Sequence, residues 1–197
     1  MNKHRGLTII ELMIGLAIGT IVLASAGALF VSTLRTNMDN VKQQRFEQSL
    51  QVLKGTIAAG IRRAGFSNST TSLPDVSGWT SGKHFYITGA CVLYTYIDTT
   101  FVTPKQQYFG YKLDTNTDTL YSYQSDSKVD CGTTSTWEAM TDPTQIKITE
   151  VTPNTLFTTP ANPKVVNIRL IAEATGLTTG TSPVKREALV KVFVRND

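Results

Sequence analysis

The sequence is poor in residues that interrupt helices and in residues that bind metals. All seven prolines lie at or beyond Pro74, so nothing earlier forces a helix to end. The two cysteines and two histidines form no CxxC pair and no cluster with metal-ligand spacing. A P-loop and a G-x-G-x-x-G fingerprint are also missing, which argues against an ATPase. We therefore predict no metal, no cofactor and no small-molecule substrate.

The sequence also lacks the residue pattern that nucleophilic catalysis needs. A Ser-His-Asp triad needs a histidine, and His84 is the only candidate beyond the first few residues. It stands beside Lys83 at the start of a predicted strand, and no serine lies in a G-x-S-x-G turn. We interpret His84 as an exposed residue at a strand edge and predict that the chain is not an enzyme.

Acidic residues are scarce in the N-terminal third of the chain. Residues 1–66 contain eight Lys or Arg and three Asp or Glu, which leaves +5 there and −1 in the remainder. The net positive charge of the chain therefore lies in the N-terminal third, and it does not by itself indicate nucleic-acid binding. Seven tyrosines lie between Tyr86 and Tyr123 and could form an aromatic surface for DNA or glycan, but we favour cross-strand packing. The turn Asp114–Asp118 lacks EF-hand spacing, so we interpret it as an ordinary polar turn.

A long uncharged run follows a short basic leader. Leu12 to Val31 are twenty residues without a charge, which is about the length of helix that crosses a bilayer. Lys3 and Arg5 precede the run, so they should stay on the cytoplasmic side while the rest is translocated. Gly15 and Gly19 form a G-x-x-x-G pattern, a weak indication of close helix packing.

Glu11 breaks the apolar pattern near the membrane boundary. A carboxylate there is costly unless it finds a partner, so it is a candidate functional residue. A cut between Gly6 and Leu7 would create a free amine four residues away. That amine could pair with Glu11 of the same chain or of a neighbouring subunit, which makes the carboxylate tolerable when paired and costly when alone.

The residues from Gly6 to Leu12 resemble the class III signal of type IV pilins and pseudopilins, usually G|FTLIEL. The chain has Leu7 where Phe is usual and Ile9 where Leu is common. The resemblance implies that a prepilin peptidase cleaves after Gly6 and methylates the new N-terminus at Leu7. It also implies a single-pass inner-membrane protein with a periplasmic head, and then a cell-surface pilus in which other pilins and minor pilins are the partners.

Three other interpretations of the N-terminus remain. The first is a plain signal-anchor helix, which does not explain Glu11. The second is a secretory signal peptide cut after Ala24-Ser25-Ala26. The third is a hydrophobic core helix that resembles a membrane span by chance.

The helix is predicted to continue to about Ala64, with Gly65 as its C-cap. An amphipathic helical stripe follows the membrane span, and we interpret it as the face that docks on the head: Val31, Leu34, Met38 and Val41, then Leu50, Leu53, Ile57, Ile61 and Ala64. A coiled coil is the alternative, but the run is short and its register slips between Val41 and Phe46. We predict a leader at 1–6, a membrane or filament-core half at 7–31, an amphipathic half at 32–66 and a β-rich periplasmic head at 67–197.

The head is predicted to be antiparallel β-sheet, which gives an α+β fold of the pilin type with one long helix on the sheet. Ser67–Lys83 is predicted to be a connecting loop. The predicted strands are Phe85–Ile97 as one strand or two, a hairpin of Tyr108–Leu113 and Thr119–Tyr123, a short hairpin of Gln145–Glu150 and Thr155–Thr158, and the pair Val165–Ala172 and Arg186–Arg195. The last pair is joined by a loop at Thr175–Pro183. Its core is predicted to be Val166, Ile168 and Leu170 with Leu189, or the opposite phase.

Cys91 and Cys131 lie in the part predicted to be outside the cytoplasm. An even pair in an oxidising compartment indicates a disulfide, and the alternative is two free buried thiols. Closing a loop of about 40 residues could contribute about 3–4 kcal/mol.

The segment Ile61–Phe66 resembles the R-R-A-G-[FY] sequence that closes the helix in PilW-type minor pilins. The resemblance implies a minor pilin that assembles through its helix and helps to initiate a type IV pilus at its tip. A type II secretion pseudopilin is one alternative, and a pilus-associated adhesin or DNA-uptake subunit is another. The −1 charge of the head argues against nucleic acid as a partner.

Overall fold

The computed structural model describes residues 8–67, 84–100, 103–132, 136–156, 165–179 and 181–194. The elements of the described residues are α1 (Ile9–Arg62), β1 (Phe85–Thr88), β2 (Cys91–Asp98), β3 (Lys105–Asp114), β4 (Thr119–Ser125), β5 (Glu138–Ala139), β6 (Ile146–Leu156), β7 (Val165–Thr179) and β8 (Ser182–Phe193). One sheet has the order β1-β2-β3-β4-β5 and the other the order β6-β7-β8. Every pairing is antiparallel, so the predicted α+β fold with one long helix is confirmed.

The chain forms two compact units, Met1–Gln44 and Arg45–Asp197. The described part of the first unit is helical from Ile9 onward, and each of its residues from 8 to 44 is exposed. The second unit contains the last turns of α1 and both sheets.

In the second unit, one face of the helix is buried. Phe46, Leu50, Leu53, Ile57 and Ile61 are spaced by 4, 3, 4 and 4 residues, which places them on one side of an α-helix. Ala64 continues this stripe and is also buried. The prediction that the stripe from Leu50 to Ala64 packs in the core is therefore confirmed.

The first part of the predicted stripe differs in exposure. Val31, Leu34, Met38 and Val41 are all exposed. They belong to the first compact unit, so their docking on the head stays a prediction.

The helix ends where the sequence places its cap. Gly65 has a φ of 75°, the left-handed conformation that glycine adopts without strain. Its N–H donates to Thr95 O at 2.8 Å, and Phe66 O accepts from Ile97 N at 2.8 Å. The turn that follows α1 is thereby bonded to strand β2, and the predicted Gly65 cap is confirmed.

The five-stranded sheet contains the predicted hairpin and the strands predicted at Phe85–Ile97. Phe85–Ile97 is two strands that turn at Gly89, where φ is 52°. β3 and β4 pair from Tyr108↔Ser125 to Asp114↔Thr119, which confirms the predicted hairpin around the Asp-rich turn. Alternate residues of β2 point to opposite faces, so Tyr94 joins the cluster that includes the helix while Leu93 joins a second cluster on the other face.

The three-stranded sheet corrects two predictions about its loops. The short hairpin around Pro153-Asn154 is wrong, because β6 runs through both residues and pairs Pro153 with Ile168. β6 is an edge strand, where a residue without a backbone N–H is tolerated. The predicted loop Thr175–Pro183 is also too long, since Thr178 still pairs with Pro183 and Thr179 with Ser182. Thr158 lies outside the described residues.

The register of this sheet settles its core. Val166, Ile168 and Leu170 are buried as predicted, and they face Val192, Val190 and Ala188. Leu189 is 57% exposed and points to the opposite face, so its predicted place in the core is wrong. The predicted loop at Ser67–Lys83, from residue 68 on, lies outside the described residues, as does the leader.

Candidate assembly site

The helix begins with a hydrogen-bonded cap. Thr8 O accepts from Leu12 N at 3.2 Å, which makes Thr8 the N-cap residue. The N–H and the Oγ1 of Thr8 both donate to Oε2 of Glu11, each at 2.9 Å. Glu11 is therefore the third helical residue and closes the carboxylate half of a capping box.

This role of Thr8 was missing from the sequence prediction. The signal that could have found it is the pattern Thr-x-x-Glu directly before an apolar run. The two bonds from Thr8 fix the Glu11 side chain at the start of the helix, but neither donor carries a charge. The amine expected at Leu7 and the expected cleavage site at Gly6 lie outside the described residues, so the pairing of Glu11 with that amine stays a prediction.

The hydroxyl groups of the apolar segment are satisfied by its own backbone. Thr20 Oγ1 donates to Ala17 O at 2.8 Å, and Ser25 Oγ donates to Ile21 O at 2.8 Å. A helix in lipid must satisfy its polar groups internally because no water is available there. Among the described residues, α1 is the one helix long and apolar enough to cross a membrane, and the segment is fully exposed in the single chain.

The glycines of this segment leave open space beside the helix. A Cβ placed on Gly15, Gly19 or Gly27 would meet nothing within 4 Å. Small residues of this kind let a second helix backbone approach closely. The exposed apolar surface and the two Gly positions of the G-x-x-x-G pattern are thus available to lipid or to other helices.

The head carries a disulfide between Cys91 and Cys131, with Cα atoms 6.1 Å apart and a sequence separation of 40. Cys91 belongs to a buried cluster with Leu93, Tyr108, Tyr123 and Trp137 on the face of the sheet away from the helix cluster. The disulfide ties the segment after β4, which contains Cys131, to strand β2. It thereby holds that segment against the second cluster.

Trp137 packs on a position where only glycine fits. A Cβ on Gly110 would lie 2.5 Å from Cδ2 of Leu93 and 2.7 Å from Cη2 of Trp137. The Nζ of Lys112 lies 4.7 Å from the centre of the indole ring. Burial lowers the pKa of Lys112, since it disfavours the charged ammonium.

Most of the tyrosines pack inside the head. Five of the seven are buried: Tyr94, Tyr96, Tyr108, Tyr111 and Tyr123. The hydroxyls of Tyr94 and Tyr111 are 3.3 Å apart, and burial raises the pKa of Tyr94 well above its usual range. A methyl group on Gly60 would collide with both hydroxyls, so this position lets the helix approach the sheet. Cross-strand packing, the favoured interpretation of these residues, is confirmed.

The remaining candidates of the head have ordinary structural roles. Asp114 accepts from Asn116 N at 2.9 Å and from Thr117 Oγ1 at 3.0 Å, as in a polar turn. His84 is partly buried rather than exposed, and its carbonyl accepts from Thr95 N at 3.1 Å. The described residues hold no group of three or more His, Cys, Asp or Glu placed to bind a metal.

Comparison with known protein families gives one match at the N-terminus and a second match over most of the remaining chain. Residues 1–27 match the prokaryotic N-terminal methylation motif. Residues 39–192 match the family described as prepilin peptidase-dependent protein B. Searches of curated proteins and of solved structures gave no match. Since the second match covers well over half of the sequence, the chain belongs to the prepilin peptidase-dependent protein B family and is a type IV pilin-like protein.

Proposed function

We propose that this chain is a minor pilin of a type IV pilus that assembles through its N-terminal helix and helps to initiate assembly at the tip. The observation that carries the proposal is an exposed apolar helix headed by a carboxylate, in a chain whose N-terminus matches the methylation motif. Such a surface needs lipid before assembly and other helices afterwards.

Processing would supply the missing partner of the carboxylate. A prepilin peptidase would cleave after Gly6 and methylate Leu7, which leaves a cationic amine at the start of the mature helix. Thr8 already holds Glu11 by two hydrogen bonds to one oxygen, Oε2. The amine of a neighbouring subunit could then approach the carboxylate without a change in the Glu11 rotamer.

The membrane segment and the cysteines support a periplasmic location for the head. Basic residues of the leader, Lys3 and Arg5, would stay in the cytoplasm, and the head would lie in the periplasm. The Cys91–Cys131 disulfide supports an oxidising compartment for that domain. After assembly the head would be displayed on the cell-surface pilus.

Two features favour a minor pilin at the tip. The head contains two sheets and a disulfide, which is a large domain for repetitive packing in a shaft. The segment Ile61–Phe66, which resembles the PilW-type sequence, forms the end of α1 and its bonded turn onto β2. The matched families are structural rather than enzymatic, and we propose no catalytic role for the chain.

Deletion of the gene tests this assignment against its alternatives. We expect loss of surface pili with unchanged type II secretion, and restoration of pili by the wild-type chain. Normal piliation with a secretion defect would instead identify a type II secretion pseudopilin. Normal piliation and secretion with a loss of DNA uptake or adhesion would identify a surface receptor that uses the same membrane anchor.

A further inference from the structure

Strand β8 is the outer strand of the three-stranded sheet. Its residues from Lys185 to Phe193 pair with β7, and the described part of the chain contains no strand on its other side. Among the residues that the structure describes, the backbone N–H and C=O groups of that edge have no strand partner, and an edge of this kind can accept another strand.

The exposed face of β8 carries large apolar side chains. Leu189 is 57% exposed and Phe193 is 65% exposed, while the alternating residues Ala188, Val190 and Val192 are buried. Both exposed residues therefore project from the sheet face opposite the core. Edge strands are usually protected by charges, prolines, bulges or a covering element, and an exposed apolar edge is a site where another chain can pair. Two bulky apolar groups on one edge are therefore better explained by a partner.

The charges of the same face identify that partner. Glu187 and Lys191 lie two residues on either side of Leu189, and Lys185 and Phe193 lie four residues on either side. If two β8 strands pair antiparallel about Leu189, Glu187 of each copy stands opposite Lys191 of the other. Directly opposite residues of antiparallel strands share a face and interact, and opposite charges stabilise such pairs.

The remaining pairs of this register follow from the same spacing. Leu189 meets Leu189, and each Lys185 lies opposite a Phe193. Within its own chain, Lys185 Nζ lies 3.3 Å from Glu173 Oε2, and Lys191 Nζ lies 5.7 Å from the centre of the Phe193 ring. On the core side, Ala188 stands opposite Val190, and Arg186 stands opposite Val192 while its Nε donates to Glu47 Oε1 at 2.8 Å. A register centred on Ala188 would instead place Lys185 opposite Lys191, and one centred on Val190 would place Leu189 opposite Lys191.

We propose that β8 is a self-association site, where two copies of this chain pair antiparallel about Leu189 and join their three-stranded sheets into one of six strands. Arg169 of the same chain already holds Glu187 on this face, with Nε 2.7 Å from Oε1. That contact keeps the carboxylate on the face where Lys191 of the second copy arrives. The interface concerns subunits before they enter a filament, and it does not depend on which filament system the chain serves.

Cysteine cross-linking of the full chain in bacterial membranes tests the proposal. Leu189→Cys adds one thiol to a chain whose described cysteines are both in the disulfide. Opposite Cα atoms of antiparallel strands are about 4.5–5.5 Å apart, which is within the range of a disulfide. Mild oxidation of two coexpressed copies with tags of different size should give a mixed-tag dimer on non-reducing electrophoresis.

Thr152→Cys is the matched control, because Thr152 is exposed on the other edge strand, β6. In the joined sheet the two Thr152 positions are five strand spacings apart, about 24 Å, and cannot form a disulfide. Lys191→Glu in the Leu189→Cys chain places two carboxylates opposite each other at both ends of the pair, so the dimer band should be lost. Lys191→Met, which removes the charge without adding repulsion, should retain part of it.

The results are decisive in either direction. A mixed-tag dimer of Leu189→Cys that is absent from Thr152→Cys and from the Lys191→Glu chain supports the pairing. Absence of that dimer in a chain that still forms its Cys91–Cys131 disulfide overturns the proposal, and so does a cross-link to another protein only. An equal dimer band from Thr152→Cys would show random collision and would also overturn it.

Discussion

Loss of the Cys91–Cys131 disulfide should destabilise the head by an amount that the chain separation fixes. The two cysteines are 40 residues apart in sequence, and a loop of that size removes about 4 kcal/mol of unfolded-state entropy at 25 °C. Cys91 is 6% exposed, so alanine is the better replacement because a serine would bury a hydroxyl group there. The perturbation is therefore the double change Cys91→Ala and Cys131→Ala.

Urea unfolding of the full chain in detergent micelles measures the effect. Trp137 lies 5.7 Å from the ring of Tyr123 in the cluster that the disulfide covers, so its fluorescence should follow this part of the head. With a urea slope of about 2 kcal/mol/M, a loss of about 4 kcal/mol lowers the midpoint by about 2 M.

A reductant supplies the matched control for this measurement. Reduction of the wild-type chain should lower its midpoint by about as much as the double substitution does. The double variant should not respond to the reductant, because it has no disulfide to lose. A wild-type midpoint that stays unchanged on reduction would refute the conclusion that the bond stabilises the head.

Three further predictions concern the helix, the sheet and pH. Glu11→Ala should block incorporation into filaments and leave the head folded, as checked by pilus preparations and by the Cys91–Cys131 disulfide; normal incorporation would contradict the pairing of Glu11. Gly110→Ala should destabilise the head by about 1–3 kcal/mol, because its methyl group collides with the packed Trp137, and an unchanged urea midpoint would contradict this. Burial raises the pKa of the Tyr94 hydroxyl. The unfolded chain therefore loses the Tyr94 hydroxyl proton near pH 10, while the folded chain keeps it. The free energy of unfolding should fall as the pH rises above about 10. Tyr94→Phe should weaken this fall, and an identical pH profile would argue against it.

The buried stripe of the helix was predictable because one physical pattern determines it. Residues from Leu50 to Ile61 recur every three or four positions, and the helical period converts that spacing into one apolar face. Gly65 was equally clear, because the chain needs a left-handed residue after the last turn and the preceding stripe stops there. The β3–β4 hairpin followed from two alternating segments around a polar turn.

Other features depended on tertiary pairing and were outside the reach of local pattern. Pro153 indicates a turn when read alone, but its place on an edge strand lets β6 continue through it. Leu189 alternates with the core residues Ala188 and Val190, and only pairing with β7 decides which set faces inward. The contact between Thr8 and Glu11 was readable as a capping pattern, but the unpaired charge of Glu11 drew the prediction towards the amine instead.

The most direct test of the central claim is the N-terminal mass of the chain recovered from assembled filaments. Cleavage after Gly6 with methylation predicts a mature chain that starts at N-methyl-Leu7, with its amine free to pair with Glu11. An intact leader in functional filaments would contradict the account, because the amine that makes the Glu11 carboxylate tolerable would not exist beside it. A start at Gly27 would also contradict it, because the segment that carries Glu11 would have been removed.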